Sequence, residues 1–420
     1  MAFQRWRFLA EILLLFSYVF ISAYVAQGRY SEKNHVTNIN SKLKFRRRPA
    51  LKSIRSSDGD IIDCVDIYKQ PAFDDPLLMN HTIQMRPNYI PDQDTMDIKN
   101  KSSSRTTLQI WRKNGSCPQG TIPIRRVRKK DLLRFKNLET FSNMKQTHSN
   151  RSLVIYNTTT AVLGYQPNRS ASILIATVTH YVGAKGFLNV WNPRVSPDDY
   201  TSSQIWALAG GATDYESVKS GWMVNPKLYG DTQTRFFAHW TTDGNQKTGC
   251  YDLLCSGFVQ TSHEVALGAA ISPLSSEGGT QYEIGIQLTM DPKTGNWWLL
   301  YNDKFDLGYW PRSLMGDYLR SGATMVQWGG EVYSPNVART PHTTTGMGSG
   351  SWPQGLFGYA SYISHIRSVD YSYSWRYPNF VAILSDEPDC YAAYHYVPGF
   401  MEEPTLFFGG PGGFRNPRCP

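Results

Sequence analysis

Two short runs carry the side chains best placed to do chemistry. In Ser217-Val218-Lys219-Ser220-Gly221-Trp222 a lysine stands among small residues, and in Gln327-Trp328-Gly329-Gly330-Glu331-Val332 a glutamate follows two glycines. Read as β-strands, these runs point alternate side chains to opposite faces. Ser217, Lys219 and Gly221 then share one face, as do Gln327, Gly329 and Glu331, while Val218, Trp222, Val326 and Trp328 turn the other way. The glycines read as room for an approaching backbone. A carboxylate in such a setting suits hydrolysis by paired acids, in which one ionised acid activates water and a protonated one assists the carbonyl or leaving group. The bland alternative is that Lys219 and Glu331 are solvated charges on the outside of a sheet.

Other familiar chemistries find no support. The chain has no HExxH, no GxSxG elbow and no phosphate-binding loop; the glycine-rich pieces at 347–350 and 409–413 lack a strand-to-helix setting. The six cysteines include no CxxC pair and form no metal-type cluster with histidine, so no metal and no cofactor is expected. The net charge of +9 is unevenly spread: residues 29–150 carry 24 Lys/Arg against 12 Asp/Glu, whereas residues 151–420 carry 17 against 21. The basic clusters Arg46-Arg47-Arg48 and Arg125-Arg126-Val127-Arg128-Lys129-Lys130 have no interleaved aromatics. They read as solvated linkers or processing sites, and nucleic acid is not expected as a partner.

The elements that must position the two charges begin after a leader. Arg5 and Arg7 precede an apolar run over 9–26 that ends in Ala26-Gln27-Gly28, the pattern of a signal peptide over 1–28. An uncleaved anchor is the alternative, and no other stretch is apolar enough to span a bilayer. A secreted, extracellular protein, free of the membrane once the leader is removed, agrees with an even number of cysteines. Their spacing suggests a sequential pairing: Cys64 with Cys117, Cys250 with Cys255, Cys390 with Cys419. N-glycosylation sequons stand at Asn80, Asn100, Asn114, Asn150, Asn157 and Asn168, none further on, which marks the N-terminal third as exposed and separate. Its pieces at 61–90 and 108–126 look too small for a large core and in need of a Cys64 to Cys117 staple. A short amphipathic helix is expected within 130–144, and proteolytic maturation between about Arg125 and Asn150.

From about 161 the composition changes to short β-branched and aromatic runs between turn residues, at 172–178, 186–191, 234–240, 257–261, 282–289, 297–301 and 324–332. With almost no helical periodicity, this predicts an all-β chain, an antiparallel β-sandwich preceded by a small disulfide-stapled propeptide. The divisions drawn are 1–28, 29–155 and 156–420.

Several motifs in one order, Asp63-Cys64-Val65-Asp66-Ile67-Tyr68, the run from Gly221-Trp222 to Gly230-Asp231, Gly249-Cys250-Tyr251-Asp252-Leu253-Leu254-Cys255, Gly308-Tyr309-Trp310-Pro311, Trp328-Gly329-Gly330-Glu331-Val332, the stretch from His342 to Gly350 and the tail from Arg415 to Pro420, resemble the plant neprosin family over residues 60–420. The resemblance implies a secreted glutamic endopeptidase that cuts after proline, made as a precursor whose own N-terminal segment is the inhibitor. It implies a catalytic pair of glutamates, of which one carries over to Glu331. At the other position, before Ser220-Gly221-Trp222, this chain has Lys219. Glu216 is a poor substitute, three residues along a strand and on the opposite face.

A lysine facing Glu331 favours an ion pair over a shared proton. Two readings follow: a peptidase of weak or altered activity acting on a peptide or protein, and a non-catalytic extracellular binding protein that uses the same groove for proline-rich peptides or cell-wall polymers. The groove residues expected are Gln204, Trp206, Trp222, Gln327 and Gly329.

Overall fold

The computed structural model describes residues 48–89, 91, 105–134, 168–211, 213–399 and 403–419. Among these, Val127–Arg134 belongs to a different compact unit from the rest. It holds a single-turn helix at Lys129–Leu133, where Asp131 accepts the Arg128 N–H at 2.8 Å and pairs with Arg134 at 3.0 Å. The helix expected at 130–144 is therefore present at its start, and its remainder lies outside the described residues.

The larger unit joins Arg48–Arg126 to the region after Phe135. Its first strands are β1 (Ala50–Arg55), β2 (Ile61–Asp66), β3 (Arg105–Thr106), β4 (Leu108–Gln109) and β5 (Thr121–Arg125). Then come β6 (Arg169–Ala176), β7 (Gly183–Asn189), β8 (Tyr200–Ala209), β9 (Glu216–Val224), β10 (Arg235–Thr241), β11 (Cys250–Tyr251), β12 (Val259–Gln260) and β13 (Ile271–Ser272). The last eight are β14 (Tyr282–Met290), β15 (Trp297–Tyr301), β16 (Phe305–Trp310), β17 (Met325–Tyr333), β18 (Ser361–Val369), β19 (Ala382–Ser385), β20 (Ala392–Tyr396) and β21 (Thr405–Gly409).

A seven-stranded sheet in the order β11-β10-β9-β8-β17-β6-β19 faces a second sheet in the order β12-β16-β15-β14-β7-β18-β21-β20, to which β3 adds in parallel along β14. The other pairings are antiparallel, as the short alternating runs predicted. Alternation puts Leu174, Ile205, Val218, Trp222, Phe236 and Trp328 of the first sheet against Leu188, Ile284, Ile286, Ile363 and Phe408 of the second in one buried cluster. Two indoles tie the layers: the Trp222 N–H donates to the Asn189 carbonyl at 2.9 Å and the Trp328 N–H to Lys185 O at 3.0 Å. Each large ring thus fills the core while its polar atom is satisfied.

Both Trp297 and Trp298 are fully buried although they point to opposite faces. Trp298 packs on Tyr309, whose hydroxyl bonds to His81 at 2.7 Å and accepts the Gln84 N–H at 2.9 Å. The N-terminal segment therefore covers part of the outer face of the second sheet. This corrects the reading of that segment as separate. Ile67, Ala72, Leu78, Ile83 and Ile122 belong to the same core as the sandwich, and β4 pairs with β13. The β1-β2-β5 sheet is stapled by Cys64–Cys117. The other bridges are Cys250–Cys255 and Cys390–Cys419. No helix among the described residues is long and apolar enough to cross a membrane. The signal-peptide region, the 155/156 division, and Asn100, Asn150 and Asn157 lie outside the described residues; Asn80 and Asn114 are exposed, and Asn168 is half-buried.

Candidate active site

Three adjacent strands of the first sheet build the site. In β9-β8-β17 the register sets Glu331 opposite Ser202, Gln204 between Gly329 and Gly221, and Lys219 opposite Trp206. Glu331 and Lys219 thus flank β8 and lie diagonally across the face turned away from the core. On the far side of β9, His239 of β10 is opposite Lys219. The two glycines serve the sheet itself. A Cβ on Gly329, at φ +149°, would lie 2.3 Å from the Ser172 carbonyl oxygen, and one on Gly221 would lie 2.0 Å from that of Ser203. Close passage of the neighbouring strand explains them, which corrects their reading as space for a substrate backbone.

Glu331 is 1 % exposed and surrounded by donors. The Tyr200 hydroxyl donates to Oε1 at 2.6 Å and the Gln204 amide to Oε2 at 3.1 Å. Arg169 Nε lies 2.8 Å from Oε2, and Lys219 Nζ lies 3.7 Å from Oε1. Burial pushes the Glu331 carboxyl up, but Lys219 and Arg169, helped by Tyr200, outweigh it and hold it below the ordinary glutamate value. Burial pulls Lys219 down, and Arg169 adds to this against the opposing pull of Glu331, so its pKa is lowered. His239 is driven well below the usual histidine value by burial and by Lys219, and its ring centre lies 4.4 Å from that of Tyr251. Burial and the Glu331 charge raise Tyr200 well above a free phenol, which keeps it a donor.

Of the other expected site residues, Trp206 borders the site, with the Arg169 guanidinium 5.8 Å from its ring centre. Gln327 shares the face but donates to Met325 Sδ at 2.8 Å. Trp222 is not brought to the groove; alternation turns it into the core, as its bond to Asn189 requires. Glu216 also points away, accepting the N–H groups of Tyr318 and Leu319 at 3.1 and 3.0 Å. The His342 to Gly350 motif serves the scaffold. Within it, the hydroxyls of Thr343 and Thr345 donate to Asp199, next to Tyr200, which fixes the start of β8.

Arg169, Tyr200, His239 and Tyr251 are the residues that sequence reasoning missed. The cavity among Arg169, Trp206, Tyr215, Lys219, His239 and Glu331 is about 10 Å³, room for one water. The metal-type grouping His342, Cys390 and Cys419 has both sulfurs joined to each other.

An antiparallel sandwich with a buried glutamate on the outward face of one sheet, preceded by a disulfide-stapled segment, agrees with two family matches. The Neprosin model matches residues 197–411 and the neprosin activation peptide model matches residues 53–162. The chain belongs to the neprosin family. Among solved structures it is similar to scytalido-glutamic peptidase with a transition state analog inhibitor, at 11 % identity over 57 % of this chain and 97 % of that one, with a TM-score of 0.31. It is also similar to SCP-B, a member of the eqolisin family of peptidases, in complex with the tripeptide Ala-Ile-His, at 10 % identity over 57 % and 96 %, with a TM-score of 0.32.

Proposed function

We propose that this chain is a secreted neprosin-type protein in which the glutamic peptidase site has become a binding site: it takes an extended, proline-rich peptide along the outward face of β8, β9 and β17 without cutting it. Its domains divide at 155/156, and the activation-peptide match supports a restraining role for the N-terminal segment. The observation that carries the reading is the double cationic clamp on Glu331, Arg169 at 2.8 Å and Lys219 at 3.7 Å. Hydrolysis by a glutamate pair needs one carboxylate to take a proton from water while the other gives a proton to the carbonyl oxygen or departing nitrogen. A carboxylate already neutralised by two cations is a weak base, and Lys219 occupies the place of its acid partner. Trp206 and Gln204 lie on the same face, 3 % and 0 % exposed, so a peptide that displaced what buries them would meet an aromatic ring and an amide there.

A second reading is favoured by one feature, the burial that lowers the Lys219 pKa. A lysine so placed could hand its proton to a leaving group, leaving a weak peptidase.

The test is cleavage of proline-containing peptides by the natural protein, Lys219→Glu, and Lys219→Glu with Glu331→Gln. The shorter glutamate would stop short of Glu331, leave space for the reacting water and restore a pair that shares a proton in acid. Binding without cleavage by the natural protein, at least about a hundredfold gain in Lys219→Glu at acidic pH and loss in the double variant are expected. Measurable cleavage by the natural protein, abolished by Glu331→Gln, would favour the second reading instead.

A further inference from the structure

The space beside Glu331 is small, but a larger pocket opens at the other end of the sandwich. It lies between the turn that follows β6 and the loop that follows β18, and its volume is about 170 Å³ against about 10 Å³ at Glu331. On that measure it holds on the order of ten waters, enough for one pyranose ring. β6 runs from Arg169, which touches Glu331, to Ala176, so the two spaces are separated by roughly 23 Å of strand.

The walls of the pocket are held in place without a ligand. Ser368 and Arg376 exchange main-chain hydrogen bonds at 2.9 and 3.0 Å, which closes the loop between them, and Tyr181 and Ala323 exchange theirs at 2.7 Å. Tyr377 is fixed by its hydroxyl, 2.6 Å from His395 Nε2, and by stacking on that imidazole. Around this frame the side chains of Thr179, Ser368, Ser374, Arg376 and Asn379 border the pocket, and among the described residues none of them takes a hydrogen bond from the protein. Asp370 completes the set. Its Oδ1 accepts the Ser372 N–H at 2.8 Å, and Ser372, helped by Arg376, holds the carboxyl below the ordinary aspartate value.

One carboxylate and one guanidinium balance each other, so the pocket as a whole favours neither an anion nor a cation. What it favours is a neutral molecule whose groups donate and accept at once, as each hydroxyl of a sugar does. Phe380, which is 67 % exposed, and the fixed Tyr377 ring add the apolar surface that suits the C–H face of a pyranose.

We propose that this pocket binds a single neutral hexose residue, with its hydroxyls shared among Asp370, Arg376, Asn379 and the neighbouring alcohols and its C–H face against Phe380. Such a site lets the protein dwell on a glycan or a polysaccharide, whether or not the distant groove cuts peptides.

The test is saturation-transfer NMR on the full natural protein with methyl α-mannoside, methyl β-glucoside and methyl β-galactoside, each titrated to about 20 mM. Saturable binding of at least one is expected; the mannoside would point to a protein glycan as the source, and the glucoside or galactoside to a polysaccharide. Phe380→Ala and Arg376→Ala, both at exposed positions, should each weaken that binding about tenfold. Absence of saturable binding by all three probes overturns the proposal, as does binding that neither variant moves. Methyl β-glucuronide is a further arm: binding about tenfold tighter than that of the glucoside would show an anion site at Arg376 and overturn the neutral assignment.

Discussion

Two buried ionic clusters lie on the first sheet, and they are built on different plans. Around Arg235, cations and carboxylates alternate: Asp60 touches both Arg235 and Arg125, Asp231 takes the other side of Arg235 at 2.7 Å, and Tyr229 lies between the guanidinium groups, 5.2 and 5.4 Å from them. Around Glu331 the carboxylate meets two cations and a phenol, Asp386 acts on Arg169 from the far side of β6, and the looser of the two cations is Lys219. Matched charges with filled hydrogen bonds hold segments together. Lys219 is held less tightly, in a small polar cavity, at the position where the family resemblance implies a second glutamate, and the proposed loss of cutting rests on that looser pairing.

The comparison breaks first at Arg235. Arg235→Met strips Asp60 of its shorter partner and the Gly268 carbonyl of its 2.7 Å donor, in a place with no access to water. A loss of about 4 kcal/mol is expected, read as a shift of the denaturation midpoint at constant slope. A loss under about 1 kcal/mol would mean that Arg125 alone can hold Asp60 and that the cluster does not fasten the N-terminal segment.

Much of this architecture is legible in the sequence because strand alternation is a local rule. The runs at 172–178, 282–289, 297–301 and 324–332 fall within or beside the observed β6, β14, β15 and β17, and alternation correctly turned Glu216 away from Lys219. The same rule argued against Trp222 in the groove. What could not be read is register. Arg169 and Tyr200 reach Glu331 only because β6 and β8 lie on either side of β17 at one particular offset, and no local pattern encodes that. The N-terminal segment was illegible for a related reason: its short strands and single turns bury Ile67, Leu78 and Ile122 only by borrowing a core built by distant residues.

A smaller effect, one of pH, separates two acids of the first cluster. Burial raises Asp252 to about 7, although Tyr229 donates to it at 2.8 Å, while Asp60, also penalised by burial, is brought below the usual value by Arg125 and Arg235. Between an unfolded value of 3.8 and about 7 the folded chain keeps a proton on Asp252 that the unfolded chain has lost. The Asp252 contribution to stability is therefore full in acid and declines as pH rises through that window. Asp60 acts in the opposite sense, but only below the ordinary aspartate range. Asp252→Asn should flatten the fall in melting temperature between about pH 4 and pH 7; a fall of unchanged size would assign the slope to another group.

The smallest effect on stability should come from the lysine beside Glu331. Lys219→Met removes a buried cation, yet Glu331 keeps Arg169 at 2.8 Å, Tyr200 at 2.6 Å and Gln204 at 3.1 Å, so no buried charge is left unpaired. The methionine fills a similar volume, the desolvation of one ammonium is avoided, and its repulsion of Arg169 disappears. We expect stability to change by no more than about 1 kcal/mol in either direction, against about 4 kcal/mol for Arg235→Met. His239 supplies an independent readout, because Lys219 is one of the two causes that push it down. In Lys219→Met its pKa should rise toward the ordinary histidine value, while burial keeps it below; titration of the imidazole by NMR follows this directly. A loss of several kcal/mol with an unmoved His239 would show that Lys219 is as firmly paired as Arg235, and the contrast between the two clusters would then collapse.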